Sequence, residues 1–220
     1  AVDGVGTKEK ELIDVLTQVT PVELAILKES WQRKYSHHHD LEHRLKSETS
    51  FNFKKLIEHI LRGTRMAPGV VELARVETDA DILYRAGERR LGTDDGTFID
   101  IISRSSAEHM QAVSQAYARR HHHGIEKAIE KETSGDFRDA LIAMCTPRAA
   151  FVAKRIHDAV FGVGTNDSLL IRMVAFNEKP MLQQAEVYYN QFYGHSMLHD
   201  VMKDTSGDYK KLLRRVMTFP

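Results

Sequence analysis

Apolar residues recur along most of this chain at helical spacing. Leu24, Leu27, Trp31 and Tyr35 fall on one face of a predicted helix, and Phe53, Leu56, Ile57, Ile60 and Leu61 fall on one face of another. The second stripe returns twice, as Phe137, Leu141, Met144 and Cys145, and as Tyr209, Leu212, Leu213, Val216 and Met217. Positions three and four apart share one side of a helix, so these residues read as core. No alternation of period two competes, and the expected fold class is all-α.

Polar residues mark where the helices begin. Thr7, Thr93 and Thr165 are predicted N-caps, each followed within two residues by an acid (Glu9, Asp94 with Asp95, and Asp167) suited to the positive end of a helix. Ser134 and Ser206 are predicted to cap a later helix, with Asp136 and Asp208 in its first turn. These signals form a repeat. Gly4-Val5-Gly6-Thr7, Arg90-Leu91-Gly92-Thr93 and Gly162-Val163-Gly164-Thr165 each introduce one apolar segment. Glu48-Thr49-Ser50, Glu132-Thr133-Ser134 and Asp204-Thr205-Ser206 each introduce another. The last loop glycine and the acid lie 42, 40 and 40 positions apart. The pattern divides the chain into repeats of about 70 residues at 1–64, 76–147 and 148–220, with a linker at 65–75 containing Pro68-Gly69. The first repeat lacks the helix that would precede its loop.

Composition narrows the class. With 42% hydrophobic residues in 220, the chain can bury a substantial core. Lys plus Arg and Asp plus Glu both number 31, so no global field favours nucleic acid, and attraction to an acidic partner must be local. One cysteine, Cys145, rules out an internal disulfide and suits a cytoplasmic setting. No apolar run reaches the roughly 20 residues that span a bilayer. The serines and histidines form no catalytic motif, and no enzyme is expected.

The repeated loops suit a hard cation. Glycines two apart turn the chain sharply and let successive carbonyl oxygens face one centre. Calcium takes six to eight oxygens in flexible geometry, and a carboxylate from a second loop adds charge. The expected donors are the carbonyls of Gly87, Arg90 and Gly92 with Glu132, those of Val160, Gly162 and Gly164 with Asp204, and those of Val2, Gly4 and Gly6 with Glu48. Such a site leaves positions open, and a lipid phosphate oxygen can fill them. Taken singly, each loop is equally a helix stop followed by a helix start. Three loops, each with a matched acid, favour the cation.

These motifs resemble the annexins, whose repeat carries Gly-X-Gly-Thr followed about forty residues later by Asp or Glu before Thr-Ser-Gly. The stretch Ala86-Gly87-Glu88-Arg89-Arg90-Leu91-Gly92-Thr93 is similar to the third repeat of four-repeat annexins, and Asp204-Thr205-Ser206-Gly207-Asp208-Tyr209 to the end of the fourth. The chain therefore resembles repeats two to four. The resemblance implies five short helices per repeat in a curved array, calcium as the bound ion, and peripheral docking on anionic, phosphatidylserine-like phospholipid. It also implies that Val5, Leu91 and Val163 touch the lipid interface. The alternative is a calcium-independent helical scaffold or a cytoskeleton-associated annexin-like protein. Phe51 stands where the family places glycine, and the first repeat has two extra residues before Glu48. Val19 and Phe176 replace an arginine retained only in Ser103-Arg104-Ser105.

His37-His38-His39 and His121-His122-His123 occupy corresponding places. They read as solvated polar turns. The sharper expectation is that protonation near pH 6 adds positive charge and strengthens binding to acidic membranes.

Overall fold

The structure, a computed structural model, describes residues 8–35, 40–49 and 51–218, the Glu48 side chain excepted. Among the described residues all regular structure is helical, as the apolar periodicity predicts. The chain packs as two compact units, Ala1–Thr146 and Pro147–Pro220. The first begins with α1 (Glu9–Leu16), α2 (Pro21–Lys34), α3 (Leu41–Glu48) and α4 (Phe51–Leu61). It continues with α5 (Leu73–Ala86), α6 (Asp95–Arg104), α7 (Ala107–His121), α8 (Ile125–Glu132) and α9 (Gly135–Cys145). The second holds α10 (Arg148–Val160), α11 (Asp167–Ala175), α12 (Lys179–Tyr193), α13 (Met197–Asp204) and α14 (Gly207–Met217). A five-helix pattern thus occurs twice, from Leu73 and from Arg148.

In the first unit α4 packs on α6 and α9, α1 on α9, and α5 on α7. The apolar stripe of α4 is fully used: Phe53, Leu56, Ile57, Ile60 and Leu61 are all buried. So are Phe137, Leu141, Met144 and Cys145 of α9, and burial pushes the Cys145 thiol well above its ordinary range. Each fully buried side chain of this size contributes about 1.5–3 kcal/mol. Two expected faces are narrower than their spacing suggests. In α2 only Leu24 is buried, while Val22 and Ile26 face solvent. In α14 Leu213 and Met217 are buried but Leu212 is 60% exposed, so the buried face of this helix is narrower than that of α4.

The linker is tied down by polar groups. Arg65 reaches three helix ends: its guanidinium donates to the carbonyls of Thr17, Ser105 (3.1 Å) and Met144 (2.8 Å). These lie at the C-terminal ends of α1, α6 and α9, where carbonyls lack helical partners and the dipole is negative. Further along, the Glu72 N–H donates to His109 Nδ1 at 3.2 Å, and His109 Nε2 lies 3.1 Å from Asp79. His109 and Asp79 are both buried, so the start of α5 is fixed by a satisfied polar pair.

Candidate cation-binding loops

Two helix junctions share one construction. Between α5 and α6 the Asp94 N–H donates to the Ala86 carbonyl at 2.8 Å, and between α10 and α11 the Asn166 N–H donates to the Ala159 carbonyl at 2.7 Å. Each bond closes a loop at its neck. Asp94 and Asn166 are also the N-caps, accepting from the Thr97 and Leu169 N–H groups at 3.2 and 3.1 Å. Thr97 holds the Asp94 carboxyl below its usual range through its hydroxyl and its N–H.

Thr93 and Thr165, predicted as caps, are not. Each stands one residue earlier, and an Asp or Asn beside it is the stronger cap. Their hydroxyls turn instead to the distant acids. Thr93 Oγ1 donates to a Glu132 carboxylate oxygen at 2.6 Å and lies 3.2 Å from the Glu132 carbonyl. Thr165 Oγ1 donates to Asp204 at 2.5 Å, with the Asp204 carbonyl at 2.8 Å. The matched acids therefore do meet their loops. Among the described residues, the second carboxylate oxygen of each has no protein partner.

Backbone geometry explains the glycines. A Cβ on Gly87 would lie 3.1 Å from Glu132 Cγ and 3.2 Å from the buried Phe98 ring, so any larger residue here would press on the acid and on the ring. Gly92 and Gly164 have φ of 77° and 78°, left-handed values that side chains disfavour. The Gly87 carbonyl accepts from the Arg90 N–H at 3.0 Å. Among the described residues, the carbonyls of Arg90, Gly92, Gly162 and Gly164 accept no main-chain hydrogen bond. Val160 is the last residue of α10. Also among the described residues, no three His, Cys, Asp or Glu side chains cluster as metal ligands. A cation here would draw on carbonyl oxygens and one carboxylate, a hard donor set that fits calcium.

Apolar tips crown both loops. Leu91 and Val163 are 102% and 108% exposed, and Phe161 is exposed at 74%, with its ring stacked on His157. Phe161 adds an aromatic to the two tips that the family resemblance implies. Behind the first loop, Glu88 accepts from Tyr117 (2.6 Å) and Lys131 (2.9 Å), with His123 at 3.2 Å. Burial alone would raise the Glu88 carboxyl, but these hydrogen bonds and charges hold it below the usual range. Behind the second loop Asp200 accepts from Tyr189 at 2.6 Å, with His195 at 2.9 Å.

The histidine run at 121–123 has divided roles. His121 stacks on Tyr84, His122 takes the left-handed C-cap of α7 with φ of 62°, and His123 pairs with Glu88. His37, His38 and His39 lie outside the described residues, as do Val2, Gly4, Val5 and Gly6. Glu48 ends α3, and its side chain lies outside them too. Two further departures from the cap expectation are plain: Ser134 and Ser206 sit at N-cap positions without accepting a side-chain cap bond, while Thr7 lies outside the described residues.

A sequence profile for annexins matches residues 1–60, 78–144 and 151–216. The chain belongs to the annexin family. It is 35% identical to human annexin A11 over 221 residues, covering 98% of this chain and 43% of that protein. The structure superposes on annexin III with a TM-score of 0.89 and 30% identity, covering 98% of this chain and 67% of the other. It superposes on calcium-bound annexin (Sm)1 with a TM-score of 0.85 and 25% identity, covering 100% and 67%. The chain thus spans under half of annexin A11 and two thirds of these annexin structures. Annexins are generally calcium-dependent phospholipid-binding proteins, cytosolic and membrane-associated.

Proposed function

We propose that this annexin chain binds calcium in its interhelical loops and, through calcium, the phosphates of an anionic phospholipid membrane. The observation that carries the reading is the pairing of Thr93 with Glu132 and of Thr165 with Asp204, repeated in both units with the same bonds. Gly87, Arg90 and Gly92 would offer carbonyls beside Glu132, and Val160, Gly162 and Gly164 would offer them beside Asp204. Val2, Gly4 and Gly6 with Glu48 are proposed as a third set. The repeats carrying them are proposed at 1–64, 76–147 and 148–220, with the linker at 65–75.

The threonine hydroxyl fixes one carboxylate oxygen and aims the side chain at the loop, so the acid is placed before any ion arrives. This preorganisation lowers the ordering cost of binding. When bound, calcium supplies divalent charge with coordination positions open to a phosphate oxygen. Leu91, Val163 and Phe161 stand exposed beside those positions and would rest in the lipid interface. Several weak sites on one protein bind a vesicle far more tightly than one. The chain acts in this reading as a cytoplasmic, peripheral binding protein and not as an enzyme.

Calorimetric titration tests it. Wild type should give saturable calcium heats, and the Glu132→Gln/Asp204→Asn double variant should lose most of that signal while keeping its helical spectrum. Equal heats from the two proteins would overturn the assignment, and no saturable heat from wild type would favour the calcium-independent scaffold.

A further inference from the structure

Phe51 begins α4 with φ of 51°, a left-handed backbone. The corresponding residues of α9 and α14 are Gly135 and Gly207, both with φ of 60°. The junction therefore demands a conformation that glycine takes freely and phenylalanine resists, at a cost on the order of a tenfold shift in the folding equilibrium. Packing does not repay that cost, because the Phe51 side chain is 88% exposed. A strained backbone position points to a functional role, and here the strained residue is an exposed aromatic.

Its surroundings say what it faces. Phe51 lies on the rim of a cavity of about 400 Å³ that is also lined by Glu9, Asn52, Asp95, Glu132 and Asp136. Asn52 donates to Asp95 at 2.6 Å, and burial raises the Asp95 carboxyl. Glu132 is the acid that Thr93 holds against the 87–93 loop, so Phe51 is continuous with that proposed calcium site.

We infer that Phe51 is an apolar anchor that inserts into the interface of an anionic phospholipid bilayer. The first repeat would then grip the membrane at its α3–α4 junction, separately from the loop tips. The inference rests on the calcium-bridging reading and adds a residue to it. Four carboxylates ring the cavity, so an anionic bilayer approaches Phe51 only after divalent cations neutralise them. The anchor therefore works only with calcium present.

The test uses sedimentation with vesicles of phosphatidylserine and phosphatidylcholine at limiting calcium. Phe51→Gly should weaken vesicle affinity by about tenfold, a loss appropriate to withdrawing one aromatic side chain from a half-apolar environment. The same variant should melt at a higher temperature than wild type, since the backbone strain is relieved, so weaker binding cannot come from unfolding. In a Trp31→Phe background, which removes the one native tryptophan, a Phe51→Trp probe should shift its emission to the blue on vesicles with calcium, and brominated acyl chains should quench it. Unchanged affinity in Phe51→Gly, or a probe whose emission stays water-like on bound vesicles, overturns the inference. A change in the association state of lipid-free Phe51→Gly would overturn it in favour of a contact between protein copies. If wild type itself fails to sediment with calcium, the calcium-bridging reading falls first and this anchor with it.

Discussion

Replacing Arg65 by Met should destabilise the protein by about 3 kcal/mol. The guanidinium donates to carbonyls at the ends of α1, α6 and α9, at positions where no helical N–H is available. A hydrogen bond to a charged group contributes about 1.5–3 kcal/mol net, so three of them give at least about 4.5 kcal/mol. Burial depresses the Arg65 pKa, and the desolvation this signals returns part of that sum when the charge is removed. Methionine keeps much of the apolar volume, which isolates the polar loss. For a chain of this size 1 kcal/mol moves the melting temperature by roughly 2–4 °C, so the expected drop is roughly 6–12 °C. Arg65→Lys should fall between, because one ammonium cannot reach three separated carbonyls with the geometry of the planar fork. Thermal unfolding followed by circular dichroism measures both. A drop under about 2 °C for Arg65→Met would mean that water satisfies those carbonyls equally well, and the role given to this clamp would be wrong.

Other changes act closer to the loops. Gly87→Ala places a Cβ against Glu132 and the buried Phe98 ring; it should cost about 1–3 kcal/mol and weaken calcium binding at that loop, read by melting and by calorimetry. Unchanged values in both would show that the close approach is incidental. Glu88 has a depressed carboxyl, so the stability it contributes is complete above the ordinary glutamate range near pH 4.3 and is lost as the pH falls through its lower folded value. Glu88→Gln should therefore melt lower than wild type at pH 6, and the gap should narrow as the pH is lowered through the acid range. A gap that widens as the pH falls contradicts the sign.

Much of this was legible in the sequence because it is carried by local pattern. Phe53, Leu56, Ile57, Ile60 and Leu61 announce the buried face of α4 by spacing alone, and the repeated interval from loop to acid places Thr93 against Glu132 and Thr165 against Asp204, 39 residues apart in each case. Thr93 and Thr165 take a different role from the one their positions predict. Thr at a helix start is a fair cap on propensity, and only the fold shows that Asp94 and Asn166 take that role and free the hydroxyl for the acid. Arg65 carried no signal, since its partners are main-chain atoms 40, 48 and 79 residues away. Phe51 was visible as a departure from the repeat, but its left-handed backbone and exposure belong to the three-dimensional junction. Leu212 reads as apolar core by spacing, and α14 turns it to solvent.

Sedimentation with phosphatidylserine-containing vesicles tests the central claim most directly. Wild type should move into the pellet when calcium is added and return to the supernatant with chelator, whereas Glu132→Gln/Asp204→Asn should need far more calcium to do so. A wild-type protein that stays in the supernatant with calcium, or a double variant that sediments with the wild-type calcium dependence, contradicts the account.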